Sequence, residues 1–149
     1  MIRNVITGPK TVEIYKVGQE LNRGSVVTKN LTTGKAEPAD GEGVQIYFLD
    51  KDNQPMGYLS DVEISNYDPT MDVVKADTLG ILVKPVVGTH WAVDQISGTF
   101  AKGDYAVGSK GKLVKAATGK TSILKYIDVY DDGGKTLYQF EVVHPYTVA

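Results

Sequence analysis

The sequence contains no cysteine and only two histidines, His90 and His144. Without cysteine, disulfide bonds and zinc sites built on thiolates are excluded. Two histidines cannot form an all-histidine metal site within one chain. There is also no run of about 18 apolar residues, the length at which a sequence predicts a membrane-spanning helix. These absences argue against most enzyme classes, and we expect no catalytic site and no metal ion.

An excess of either charge is also missing. The chain of 149 residues contains 16 Lys and Arg and 18 Asp and Glu, which gives a formal net charge of -2. Proteins that bind nucleic acid through its phosphates carry a basic patch or stripe. We expect neither a nucleic acid nor a membrane as a partner. The length corresponds to about one domain.

Val, Thr and Ile together far outnumber Leu and Ala, and 16 Gly accompany them. Branched side chains pack well on a pleated surface, whereas Leu and Ala favour helices. This composition predicts an all-β protein, folded as a compact β-barrel or β-sandwich.

Alternation of polar and apolar residues predicts a half-buried strand at residues 11–17. The most continuously apolar run, residues 79–87, predicts a strand buried on both faces, with Pro85 marking its end or an edge. Residues 36–43 hold no large apolar side chain and are predicted to form a loop. Hairpins are predicted with tips at residues 51–54 and 132–134. The remaining predicted strands are residues 25–28, 44–49, 57–64, 91–97, 104–107, 112–116, 122–130 and 136–143.

Gly8 and Pro9 separate a short N-terminal segment from the first patterned strand. We predict an extended N-terminal arm at residues 1–10, outside the core, and a single β domain at residues 11–149. The order of elements in residues 21–65 is similar to that in residues 100–143. This similarity predicts two related β units that share a core; coincidence in a Gly-, Val- and Lys-rich sequence is the alternative.

Four motifs have some features of a chemical site. Gly119-Lys120-Thr121 lacks the earlier glycine of a phosphate-binding loop and precedes a strand. Residues 50–54 resemble the start of a calcium loop, but Pro55 stands where glycine is needed. Asp131 and Asp132 are adjacent turn residues. Trp91 is expected to be a core anchor, with sugar stacking as the alternative.

Five tyrosines on hairpin strands suit either a buried partner surface or pairing within the sheet. These are Tyr47, Tyr58, Tyr126, Tyr130 and Tyr138.

Two segments of the sequence resemble those of a known family. Residues 17–27 follow the pattern apolar-Gly-x-x-Leu-x-x-Gly-x-Val-Val, and residues 98–108 form a second such phrase upstream of residues 111–116. They resemble the small all-β structural proteins of tailed bacteriophages, in particular capsid decoration (cement) proteins and head-fibre bases. The likeness covers most of residues 17–143.

The resemblance implies a virion protein that binds the outside of an assembled capsid and stabilises it, with no cofactor. The implied partner is the major capsid protein, and a second copy of the chain on the capsid is a further one. Such proteins often dock through a terminal arm, so the candidate docking residues are Ile2, Arg3, Asn4, Val5 and Ile6. Since residues 1–5 lack a signal-peptide pattern, we expect assembly in the host cytoplasm. A tail or fibre module that binds host-surface carbohydrate or a receptor is the alternative.

Overall fold

A computed structural model describes residues 1–51 and 72–149, and 57% of these residues lie in strands. No α-helix is found in these two segments. The predicted all-β fold is confirmed, as expected from branched side chains that suit a pleated surface.

The strands form two large antiparallel sheets and one small one. The first sheet contains β1 (Ile2–Ile6), β9 (His90–Val93), β13 (Lys135–Thr147), β12 (Thr121–Asp132), β10 (Tyr105–Ser109) and β11 (Lys112–Lys115), in that hydrogen-bonded order. The second contains β2 (Thr11–Lys16), β8 (Leu79–Lys84), β6 (Tyr47–Asp50), β4 (Val26–Asn30) and β5 (Lys35–Pro38), again in that order. The short strands β3 (Leu21–Asn22) and β7 (Val73–Val74) pair with each other.

The main hydrophobic core lies between the two large sheets. Phe48 of the second sheet meets Trp91 of the first, with ring centroids 5.7 Å apart. Both side chains are buried, and the Trp91 indole N–H donates to Thr89 Oγ1 at 3.0 Å. Trp91 is thus a core anchor, as predicted. Of the two predicted architectures the sandwich is observed, since the described strands do not close into a barrel.

A second, smaller core covers the opposite face of the second sheet. Val27, Leu49 and Leu82 are fully buried there. The next residue along β8, Val83, is buried in the main core, because successive side chains of a strand point to opposite faces. The prediction that residues 79–87 are buried on both faces is therefore confirmed at Leu82 and Val83 and wrong at the two ends of the run, where Leu79 is 69% and Val87 46% exposed. The strand ends at Lys84, before Pro85, as the missing N–H of proline requires.

Several other sequence predictions are corrected. Residues 36–43 were predicted to be loop, yet β5 occupies their start and Ala36 is fully buried. A methyl group is enough to fill this site, since Ala36 packs in the small core beside Val17. β6 begins at Tyr47 rather than at residue 44. The predicted strand at residues 25–28 corresponds to β4, and the five strands predicted between residues 91 and 143 correspond to β9–β13. Their ends differ from the predicted ones.

One predicted hairpin is confirmed, and the other lies largely outside the described residues. β12 and β13 meet at Gly133 and Gly134, whose φ angles of 62° and 92° suit glycine. The predicted tip at residues 51–54, apart from Lys51, and the predicted strand at residues 57–64 are not among the described residues.

The prediction of an N-terminal arm outside the core is wrong at its first residues. Ile2–Ile6 is the edge strand β1, antiparallel to β9, and the Ile2 side chain is 4% exposed in the main core. Met1 is also buried, and its ammonium group donates to Asp94 Oδ1 at 2.6 Å. Gly8 and Pro9 mark the crossover from the first sheet to the second, not the boundary of the core.

The two large sheets share a strand order. Part of the second sheet has the spatial order β5-β4-β6-β8. Part of the first sheet has the corresponding order β11-β10-β12-β13. All neighbouring pairs are antiparallel. The internal repeat of residues 21–65 and 100–143 remains a prediction, since residues 52–65 are not described.

Replacing Ile2 by Ala should lower the free energy of unfolding by about 2–5 kcal/mol, the usual cost of removing a buried branched side chain. Ile6 lies in the same strand and is 46% exposed, so Ile6→Ala should cost less than about 1 kcal/mol. Urea unfolding of both variants measures the difference. Equal costs would show that β1 contributes no core residue.

Candidate functional site

The five predicted docking residues are brought together in β1, but only two of them are exposed. Ile2 is buried, and Asn4 and Val5 are half-buried. Arg3 and Ile6 are exposed, and Arg3 Nε donates to Asp132 Oδ2 at 2.8 Å. The segment is therefore integrated in the first sheet and does not form a free arm.

An apolar surface is exposed instead at the flank formed by β2 and β8. We call Val12, Ile14 and Leu79 the open flank; their side chains are 54%, 67% and 69% exposed. Val12 pairs with Val83 and Ile14 with Ile81, and both partners pack in or against the main core. Paired residues of an antiparallel ladder point to the same face. The open flank is thus an uncovered continuation of the face that the first sheet buries elsewhere, and the predicted half-burial of β2 is wrong.

The outer edge of β2 is also open over the strand itself. Among the described strands, only β8 pairs with β2. Just beyond the strand the sheet curls, and the Gly18 N–H donates to the Ala36 carbonyl of β5 at 2.8 Å. β2 therefore presents main-chain donors and acceptors beside exposed apolar side chains, which is the arrangement that accepts an added strand.

A polar cleft of about 540 Å³ lies on the other face of the second sheet. Tyr47 is at its centre: Lys29 Nζ lies 4.7 Å and Lys84 Nζ 5.0 Å from the centroid of its ring. Lys29 also forms an ion pair with Glu13 of β2. The residues that line the cleft are Thr28, Lys29, Leu31, Asp40, Glu42, Gln45, Tyr47 and Lys84.

Side chains rather than strand pairing hold the wall of the cleft. Glu42 Oε1 accepts the backbone N–H groups of Gly43, Val44 and Gln45 at 3.0, 2.7 and 3.1 Å. From the other side, Lys84 Nζ donates to the carbonyls of Val44 and Ile46 at 3.0 and 3.2 Å. These bonds occupy two N–H groups and two carbonyls of residues 44–46, and β6 begins only at Tyr47.

These contacts, together with burial, shift the pKa values of three ionisable side chains in the cleft. The Val44 N–H, aided by those of Gln45 and Gly43, lowers the pKa of Glu42 although partial burial opposes the change. Burial lowers the pKa of Lys84, and the hydrogen bond to Glu13 raises the pKa of Lys29.

Motifs that were interpreted as turns in the sequence are turns in the structure. Asp131 Oδ1 accepts the Gly134 N–H at 2.7 Å within the β12–β13 hairpin. Gly119 has a φ of 82° and starts no helix. In residues 1–51 and 72–149, no group of three or more acidic or histidine side chains is placed to hold a metal ion.

The five tyrosines were predicted either to form a surface for a partner or to pair within the sheet, and the structure shows different environments for them. Tyr126 is buried, with its ring centroid 6.2 Å from that of Tyr138, so these two pack within the protein. Tyr130 is half-buried beside the small cluster of Met1 and Leu137. Tyr47 lines the cleft, and Tyr58 is outside the described residues.

Sequence reasoning missed both the open flank and the cleft. The alternation in residues 11–17 gives no sign that the apolar face is uncovered. One weak sign of the cleft is present in the sequence: Lys84 ends β8, which lies in the most continuously apolar stretch of the chain. Its partners come from residues 42–47, far away in the sequence.

Comparison with known proteins identifies no relative. No protein-family model matches the chain, and neither a curated protein nor a solved structure matches it significantly. No helix capable of crossing a membrane is found in the described part of the chain.

Glu42→Gln should lower stability at neutral pH by no more than about 1 kcal/mol, because the carboxylate is partly solvated. The folded protein holds the pKa of Glu42 below its ordinary value of 4.5. The stabilisation by its charge is therefore complete above pH 4.5 and lost as the pH falls through the lowered pKa. The difference between the two proteins, measured by urea unfolding against pH, should shrink in acid.

Exposed Glu20 provides the control, since Glu20→Gln should leave stability unchanged over the same range. A Glu42→Gln deficit that is constant down to acid pH would show that the charge of Glu42 does not stabilise the loop.

Proposed function

We propose that this protein is a structural component of a tailed-bacteriophage particle that binds the outer surface of the assembled capsid and stabilises it. Two lines support the proposal: the resemblance of residues 17–27 and 98–116 to capsid decoration proteins, and an all-β fold with an exposed apolar strand edge. The observation that carries it is the open flank. A sandwich that leaves Val12, Ile14 and Leu79 more than half exposed has a surface suited to a partner.

The proposed occupant of the open flank is an extended segment of the major capsid protein. Such a segment would add a strand to the outer edge of β2 and place apolar side chains on the exposed face. Main-chain hydrogen bonds would supply affinity, and the apolar side chains would select the register. This assigns docking to β2 rather than to the five residues of β1.

Stabilisation would follow from mass action. A protein that binds the assembled shell but not its separated subunits stabilises the shell in proportion to its occupancy. With a net charge of -2, this binding would depend on apolar and main-chain contacts, and moderate salt would weaken it little.

Val12→Asp tests the docking surface. A charge placed in the open flank would be buried without a partner on docking, so binding to capsids stripped of the protein should weaken at least about tenfold. Val129 provides a matched control: it is also a strand valine, 55% exposed against 54% for Val12, and it lies near the tip of the β12–β13 hairpin. Val129→Asp should bind as the unchanged protein does.

The measurements are co-sedimentation with stripped capsids and the temperature at which the capsids release DNA. Adding back the unchanged protein should raise that temperature, and Val12→Asp should fail to do so while melting at the normal temperature itself. Equal binding by both variants would refute docking at the open flank. Capsids whose stability is indifferent to the protein, with only a few copies per particle by electrophoresis, would favour the tail or fibre alternative.

A further inference from the structure

The polar cleft lies on the opposite face of the second sheet from the open flank, and it contacts β2 through Lys29, which pairs with Glu13. Tyr47 precedes Phe48 in β6, and Lys84 follows Val83 in β8; Phe48 and Val83 both point into the main core. Because side chains alternate along a strand, Tyr47 and Lys84 lie on the opposite face of the second sheet from the open flank. A ligand in the cleft would leave the open flank accessible.

Three charged side chains of the cleft are already held in place by contacts within the protein. Lys84 is fixed by two carbonyls and Lys29 by Glu13, and both ammonium groups lie near the Tyr47 ring. Glu42 is fixed by three backbone N–H groups. Polar groups that are already held in place lose little conformational entropy on binding, which favours affinity.

The balance of charge in the lining selects against ions. Lys29 and Lys84 are opposed by Asp40 and Glu42 in the lining, and Glu13, just outside it, pairs with Lys29, so charges of both signs surround the cleft. An anion would meet two carboxylates and a cation two ammonium groups. A purely apolar ligand would have to remove water from all four without replacing its hydrogen bonds. A neutral ligand that both donates and accepts hydrogen bonds meets none of these costs.

We infer that the polar cleft binds a neutral sugar. Ring hydroxyls can accept from the ammonium groups and donate to the carboxylates, and the Gln45 amide can do both. Leu31, 85% exposed at the rim, offers a contact for the C–H face of the ring. The volume of about 540 Å³ lies within the usual range of small-molecule sites, roughly 300–1,000 Å³.

The test uses sugars that share a ring and differ in charge: glucose, N-acetylglucosamine, glucuronate and glucosamine, with galactose and rhamnose as further neutral probes. Each is titrated into the full-length protein at neutral pH while the backbone amide signals are followed by NMR. At least one neutral sugar should cause saturable shifts at Gln45 and Tyr47. Glucuronate and glucosamine should bind more weakly than glucose and N-acetylglucosamine. Trp91 is buried outside the cleft, and its signal should not move.

Two variants localise the binding. Gln45 is exposed and Gln45→Ala should weaken binding about tenfold, equivalent to about 1.4 kcal/mol, while Gln19→Ala, at another exposed glutamine, should not. Lys84→Met keeps the apolar stem and should abolish binding; unfolding in urea shows whether this variant is folded. If Lys84→Met is unfolded, Gln45→Ala and Gln19→Ala decide the result.

The inference is overturned if none of the neutral sugars gives saturable shifts, if a charged probe binds more tightly than its neutral counterparts, or if the shifts lie outside the cleft. Because the titration needs no capsid, these results are independent of docking. Gln45→Ala should bind stripped capsids normally, so failure of one proposal is distinguishable from failure of the other.

Discussion

A strand buried on both of its faces is the constraint on which this structure depends. In β8, Leu82 enters the small core and Val83 the main core, so the second sheet must be covered on both sides. The close packing at Gly80 reinforces this position. A Cβ there would lie 2.7 Å from Leu49 Cδ1 and 2.9 Å from Val17 Cγ2, so any other residue would force these two buried side chains to shift.

The open flank is a consequence of how the two sheets overlap. The main core is covered on one side by the first sheet, and the cover ends before it reaches β2 at the edge of the second. Exposed edge strands favour association, and proteins commonly protect them with charged side chains. In β2 the charges of Glu13 and Lys16 accompany the exposed apolar residues, but Glu13 points to the opposite face and pairs with Lys29.

The wall of the cleft has a different origin. Residues 44–46 belong to no strand: Glu42 accepts the N–H groups of Val44 and Gln45, and Lys84 donates to the carbonyls of Val44 and Ile46. The neighbouring Gly43 carbonyl accepts the Ile123 N–H of β12. A buried main-chain group without a partner is costly, so the Glu42 and Lys84 side chains stabilise an irregular backbone conformation. The same bonds place one carboxylate and one ammonium group at the cleft. Its polarity is therefore a by-product of how the loop is held.

The sequence by itself determined the properties that depend on neighbouring residues. The excess of branched residues predicted the all-β fold, Asp131 to Gly134 predicted the hairpin turn, and Pro85 predicted the end of β8. Each rests on local conformational preference or on alternation within one strand. The sequence also predicted burial on both faces for residues 79–87, its most continuously apolar run, and this holds at Leu82 and Val83 but not at Leu79.

Only the tertiary structure decided which apolar faces are covered. Ile2 was predicted to lie in an arm outside the core and Ile14 in a half-buried strand, yet Ile2 is buried and Ile14 is 67% exposed. The difference comes from the neighbours that each meets across the sandwich, residues distant in the sequence. For the same reason the sequence predicted the first segment as an arm and missed the cleft. Burial depends on long-range packing, whereas strand formation depends largely on residues close in the chain.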